Sequence, residues 1–483
     1  MAQTALPAPN QPVRRRVLGG LLDADGWTWA IVKSIFWFVL IITLLGWIPD
    51  RAYYFTVQRT VELWPLAPLV QVPLVNFCPP ENESVACPAP GGATLPWHPA
   101  PQEVRLPAAR TDGVAAALGT TYLYASGSDG TAPVADTHLS HPVGTGNLDA
   151  WSTGPALPEA RADASSVVIG TTLYVIGGLG PDGQPTDTVY SLTVGNDGTL
   201  PAEWTIEEGL VLPEARAGAA AVTIDDGIVL MGGTDGTAAQ TTVWRIRRSA
   251  QGKFGEWLPQ QPLFEANAHG AGMLIGDIIY LVGGTNDQGE AVATVQEGLV
   301  GGGPNATEED PNAVDAWRVS AATNLPEPRT NLSGFTTNGG LYIQGGSDGT
   351  SPRAETYWAT PDAGGVIPGW KALEQTALGE GIEGSTAMVA GSHAFILGGQ
   401  TAGGLTPDIA RANLAPQEPF FQLGLIGVTI PALQLQGEIG QQIGYLNAAT
   451  VGGVNFVLLI LVGYAFNHKE QMRGLLGRLR RRG

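Results

Sequence analysis

The sequence predicts an all-β protein, a six-bladed β-propeller with a transmembrane helix at each end. Three observations predict it. A unit typified by Leu157–Trp204, LPEARADASSVVIGTTLYVIGGLGPDGQPTDTVYSLTVGNDGTLPAEW, comes round six times. Two independent markers recur on it. One is a glycine pair or its remnant at Ser126-Gly127, Gly177-Gly178, Gly232-Gly233, Gly283-Gly284, Gly345-Gly346 and Gly398-Gly399. The other is a tryptophan at 97, 151, 204, 257, 317 and 370, with gaps of 54, 53, 53, 60 and 53. Last, a long apolar run lies on either side of the repeats. A repeat of this length is one supersecondary unit that cannot bury its own faces and must stack on its neighbours.

Each unit reads as four short strands, in the typical case Ala162–Ile169, Leu173–Ile176, Asp187–Leu192 and Glu203–Ile206. β-Branched and aromatic residues fill the runs, and Gly and Asp-Gly supply the turns. Six such sheets set radially cover one another and leave only short edges. The phase of the markers bears on closure. Trp97 precedes the first glycine marker, and no tryptophan follows the last. The strand near Trp97 is therefore expected to complete the blade that ends near Leu414, locking the ring without a covalent bond.

The glycine pairs, the tyrosines just before them (Tyr124, Tyr174, Tyr280, Tyr342), the spaced tryptophans and the Arg of LPxAR resemble the kelch family over Thr94 to Ala415. Blade one has Ser-Gly for Gly-Gly, blade four has Asn267 for the Arg, and blade six lacks both Arg and Tyr there. The resemblance implies the propeller and leaves function open, because such folds host many activities and none. Kelch-like propellers include sialic-acid mutarotases, whose likeness implies an anionic sugar at Arg110, Arg161, Arg216 and Arg329. Kelch-type copper radical oxidases fit poorly, since both cysteines precede the propeller.

The domain plan follows from the ends. Residues 1–26 are a basic tail holding Arg14-Arg15-Arg16, and 27–48 are apolar apart from Lys33 and hydroxyl residues. As a helix, 22 residues span about 33 Å against a hydrocarbon core of about 30 Å. A cleaved signal peptide is the rival reading; the run is long for one, and Pro49-Asp50-Arg51 follows instead of a cleavage site. Residues 49–93 form a proline-rich linker, 94–416 the propeller, 417–445 an amphipathic segment, 446–466 a second span and 467–483 a basic tail. Basic flanks outside both spans put the two tails in the cytoplasm and the propeller outside the plasma membrane. Cys78 and Cys87, an even pair in an exposed loop, are expected to form a disulfide in that oxidising location.

Segments 1–49 and 421–483 carry 10 basic and 4 acidic residues, against 15 and 40 in between. So acidic a middle disfavours nucleic acid. No HExxH, P-loop or GxSxG motif occurs, two cysteines lack the further ligands zinc needs, and no metal or cofactor is expected. His138 and His141 diverge along a strand.

Adjacent strands being antiparallel, loops from strand two to three and from strand four to the next blade share one face. That face carries the LPxAR connections and the acids Asp129, Asp182, Asp235, Asp287 and Asp348. Asp-Gly serves a turn there; calcium would need denser ligands. Arg110, Arg161, Arg216 and Arg329, each near a Glu or in an equivalent place, are the candidate ligand-binding residues. Two readings stand: a funnel mouth that holds a carboxylate or acidic partner, or ion pairs internal to the repeat. The opposite face holds the chain's exits and an acidic insertion in blade four, Gly301 to Asp315. With an anchor outside each end, that face should look at the membrane.

The expected function is that of a non-enzymatic interaction or scaffold subunit. Its helices, rich in small residues, would meet other integral membrane proteins, and its far face a protein or glycan. The alternative is a carbohydrate binder or mutarotase-like enzyme acting on an anionic sugar.

Overall fold

The computed structural model describes Thr94, residues 97–414 apart from 144–146, 196, 309, 373–376 and 392, and a short ladder at 422–423 and 428–429. The chain divides into two units, Cys78–Pro416 and the combination of Met1–Phe77 with Gln417–Gly483. In the second unit Gln422–Leu423 pairs antiparallel with Val428–Thr429. The expected spans at 27–48 and 446–466, the two tails, the linker and Cys78 with Cys87 all lie outside the described residues. Among the described residues no helix is long and apolar enough to cross a membrane.

The first unit holds six four-stranded antiparallel sheets. In blade two the strands are Ser165–Ile169, Thr172–Ile176, Val189–Thr193 and Thr205–Ile206. The first begins later than Ala162 because Asp163 takes a left-handed backbone, φ 54°, which ends strand geometry. The first strands of neighbouring blades pack on one another all the way round, so they are innermost. The closing blade behaves as expected. His98–Pro99 pairs with Ile409–Asn413, with His98 opposite Arg411, and Thr94 bridges Leu414. A strand from before blade one thus completes blade six.

Both recurrent markers are fasteners between blades. The second glycine of each pair donates its N–H to the carbonyl at the Arg position of the next blade. The bonds run Gly127 to Arg161 (2.8 Å), Gly178 to Arg216 (2.7 Å), Gly233 to Asn267 (2.8 Å), Gly284 to Arg329 (2.7 Å), Gly346 to Ile382 (2.8 Å) and Gly399 back to Arg110 (2.6 Å). Glycine is required by this approach: a Cβ on Gly177 would lie 2.4 Å from the Arg216 carbonyl oxygen, at φ 61°. Because the contact is made by backbone, it survives where Asn267 or Ile382 replaces Arg. The tryptophans tie the rim. The indoles of Trp151, Trp204, Trp257, Trp317 and Trp370 donate to the carbonyls of Val104, Pro155, Leu210, Gln261 and Thr323, at 2.8–3.0 Å. Each acceptor lies just past the outer strand of the preceding blade, which explains a spacing close to one blade. Trp97 instead packs edge-on to Phe335, centroids 6.3 Å apart.

The acidic insertion of blade four folds back on blade three. Asp310 pairs with the fully buried Arg245, which also holds Asp226 at 2.6 Å, and Gln260 accepts the Val314 N–H at 2.7 Å. In blades one, three and five the Asp-Gly acids are turn anchors: Asp129, Asp235 and Asp348 each accept two backbone N–H groups within 2.8–3.0 Å. In blade four that role falls to Asn286, not Asp287.

Candidate functional site: a polar ring on the axis

Two residues beyond each Arg position, every connection passes through a left-handed residue just before its innermost strand. These are Asp112, Asp163, Gly218, His269, Asn331 and Gly384, with φ between 50° and 59°. Their backbones form a closed hydrogen-bonded ring. Asp112 donates to Gly384 (2.8 Å), Asp163 to Asp112 (2.9 Å), Gly218 to Asp163 (2.9 Å), His269 to Gly218 (2.7 Å), Asn331 to His269 (3.1 Å) and Gly384 to Asn331 (2.9 Å). Asp and Asn tolerate this conformation better than other side chains, and glycine tolerates it best. The backbone is repeated six times; the side chains are not. Such a place, uniform in conformation and variable in chemistry, is where a repeat fold can build a site.

His269 reaches over Gly218 to Asp163, Nε2 to Oδ2 2.9 Å. Burial works against a charged imidazole, yet Asp163, with help from Asp112, holds the His269 pKa above its ordinary value. Asp112 has the opposite difficulty. Burial first, and then the negative charge of Asp163, push its carboxyl up to about 7, against partial relief from Thr111 and His269. The glycines make these placements possible. A Cβ on Gly218 would sit 2.5 Å from His269 Cδ2, and one on Gly384 would sit 2.6 Å from Asp112 Oδ1. Gly218→Ala is therefore expected to cost about 1–3 kcal/mol through backbone strain and displacement of His269. Chemical denaturation would measure the cost, and NMR titration of the imidazole should show its pKa falling.

Tyr124 joins this cluster from blade one. In blade one Val114 stands opposite Ala125, and in blade two Ser165 stands opposite Ile176. Tyr124 is thus level with Val175, not Tyr174, and faces the other side of its sheet. In the other blades that level holds Val175, Leu230, Leu281, Ile343 and Ile396. Tyr124 packs with Leu106, Phe395 and Leu397 at the junction of blades six and one. Its hydroxyl ends where a Gly113 Cβ would be, 2.4 Å away, is buried, and has no hydrogen-bond partner. Burial and the nearby Asp112 both raise its pKa.

The arginines named from sequence occupy equivalent places in blades one, two, three and five, each partnered within its own surroundings. Arg161 is fully buried and bonds Glu159 (3.1 Å), Thr188 (2.6 Å) and the Tyr190 hydroxyl (2.7 Å), lying 4.9 Å over the Tyr190 ring. Arg216 bonds Glu214 (2.6 Å) and Thr242 (3.0 Å) and lies 4.7 Å over Trp244. Arg329 bonds Glu327 (3.2 Å), Glu355 (3.1 Å) and the Tyr357 hydroxyl (3.2 Å). Arg110 pairs with Asp136 at 2.5 Å. Where Asn267 replaces Arg, Gln296 replaces the aromatic partner and bonds the Glu265 backbone instead. The signal for the axial cluster lay two residues further on, where the repeat loses its regularity. Among the described residues no group of three or more His, Cys, Asp and Glu is arranged to hold a metal ion.

The family model described as "Kelch motif" matches residues 160–196, the body of blade two. Blade two thus matches a kelch motif. "Kelch repeat protein M-T8" of Myxoma virus (strain Lausanne) is 28% identical over 198 residues, 41% of this chain and 34% of that protein. The chain therefore matches about a third of that curated relative's length. A solved chain titled "Structure of YjhT" is 16% identical, with a TM-score of 0.49, over 64% of this chain and 94% of its own.

Proposed function

We propose that this kelch-type propeller is a membrane-tethered, extracytoplasmic interaction subunit of a larger membrane assembly. A kelch propeller is compatible with an interaction role or with an enzyme. The observation that carries the first is the pairing of Thr94 with Leu414. The two sides of the chain leave blade six at adjacent positions, each leading toward an apolar stretch of spanning length. Two tethers rooted at one blade would hold the ring in a fixed orientation. The turn loops support the same reading, because aspartate-anchored loops present a preformed surface with little ordering cost. In this proposal the four arginines are blade fasteners, since each guanidinium already has its acid or hydroxyl partner.

The test is native electrophoresis and crosslinking of the full chain in mild detergent. The wild type is expected to migrate in a complex larger than itself. Replacement of 446–466 by an unrelated apolar span should release it while leaving the propeller folded. A solitary chain before and after the replacement would overturn the proposal.

A further inference from the structure

We propose that a cavity between blades six and one, beside the blade-one hairpin, binds a carboxylate on a short aliphatic arm, held by the Arg411 guanidinium. At the third-strand level opposite Tyr174 and its equivalents, the six blades carry Leu139, Ser191, Arg245, Glu297, Trp358 and Arg411. The hydroxyl and the charges of the middle blades are partnered. Ser191 donates to Glu207 at 2.6 Å, Arg245 pairs with Asp226 and Asp310, and Glu297 pairs with Arg318. Arg411 is the exception. It donates one hydrogen bond, to the Asn147 amide oxygen at 2.6 Å, and among the described residues it forms no ion pair. It is half-buried, and burial pushes its pKa down with no carboxylate to offset the effect. A guanidinium taken out of water without a counter-charge is costly, and an anion that reaches it removes the cost.

Blade three shows what a guanidinium at this level takes when the chain supplies it. Arg245 holds Asp226, from the turn between the first two strands of its own blade, and Asp310, from the strand three-to-four connection of the next blade. Around Arg411 both places are neutral. The equivalent turn reads Gly391-Ser392. The equivalent connection is the blade-one hairpin of Pro142–Val143 and Asn147–Leu148, which offers the Asn147 amide. A cavity of about 120 Å³ lies there, with Arg411 and Asn147 as its polar wall and Ala100, Val104, Leu148 and Phe395 among its apolar lining. Leu148 and Phe395 are core residues, and the Trp151 indole fixes the Val104 carbonyl at 2.8 Å, so those walls are rigid. The volume is somewhat below the roughly 150 Å³ that admits benzene, which suits a carboxylate of about three or four carbons. A guanidinium receives a carboxylate through two parallel N–H donors. A cation would meet a like charge, and a phosphate would find no second cation among the lining residues.

The experiment is thermal unfolding of the full chain in mild detergent at neutral pH with sodium butyrate. Sodium chloride at equal ionic strength supplies an anion without a carboxylate, and butanamide supplies the shape without the charge. The midpoint is expected to climb with the logarithm of butyrate concentration once the site fills, and to stay level in both controls. Asn147→Asp gives Arg411 the kind of partner that Asp310 gives Arg245. It should raise the midpoint by itself and abolish the response to butyrate. Arg411→Gln should abolish the response as well. Arg411→Lys keeps the charge without the forked donors and should weaken binding about tenfold. Asp matches Asn in shape, so Asn147→Asp is expected to fold and keeps the test open if the Arg411 variants do not. N-Acetylglutamate α-amide carries a carboxylate on a two-carbon arm. A shift at lower concentration than butyrate requires identifies a protein side chain as the source, and the reverse order identifies a free acid. Equal shifts in butyrate, chloride and butanamide, no shift in butyrate, or a butyrate shift that persists in Asn147→Asp would overturn the proposal.

Discussion

Trp204→Ala is expected to destabilise the propeller by about 3–5 kcal/mol, the range for emptying a buried tryptophan site. Trp204 is 5% exposed and packs with Leu139, Leu157 and Tyr190 from two blades. Its indole N–H donates to Pro155 at 2.9 Å. The substitution therefore removes packing on both sides of a blade junction and leaves a carbonyl without its donor. Trp204→Phe should cost less, about 1–2 kcal/mol, since much of the ring volume remains and mainly the hydrogen bond is lost. Phe264→Ala is the control: Phe264 is 67% exposed, so a change within about 0.5 kcal/mol is expected. Urea unfolding of the three variants side by side measures this. An equal loss for Phe264→Ala and Trp204→Ala would contradict the role given to the rim tryptophans.

Asp112→Asn is expected to be the more stable protein at pH 8 and about equal to the wild type near pH 4. The folded Asp112 pKa is raised from 3.8 to about 7, so the folded state binds this proton more tightly than the unfolded state. Its favourable contribution is whole below about pH 4 and is lost as pH rises toward 7. Three pKa units correspond to a ceiling of about 4 kcal/mol; relaxation of the site brings the expected difference to about 1–3 kcal/mol. His269, also raised, adds in the same direction, its stabilisation being lost as pH rises through its folded value. His393, lowered to about 4 by burial and then by Arg411, acts in the opposite direction between about pH 4 and 6.5, and so does the lowered His138. The wild-type profile is thus a partial cancellation, and the difference between wild type and Asp112→Asn isolates one group. Urea midpoints at pH 4.5, 6.5 and 8 give that difference. A constant offset across the three would show that Asp112 does not titrate in this range.

Much of the architecture was legible because each repeat marker has a local physical cause. The glycine pairs mark a left-handed turn where one blade's backbone touches the next, and Trp marks the rim contact one blade away. Even the closing strand could be read from the phase of the two series. The candidate site was less legible. Arg110, Arg161, Arg216 and Arg329 stood out because they recur, yet recurrence is what a fastener shared by the blades shows. Tyr124 was within reach: it stands three residues before Gly127, whereas Tyr174 stands four before Gly178. One residue reverses the face of a strand.

What the linear chain determined by itself was the blade, its number and the way the ring closes. All follow from contacts within one repeat length or from counting. The tertiary structure alone decided that Asp163 meets His269, 106 positions away, and that Asp112 and Tyr124 share a junction with the last blade. Those encounters depend on closing six units about one axis. Closure brings together residues whose separation along the chain carries no trace of their distance in space.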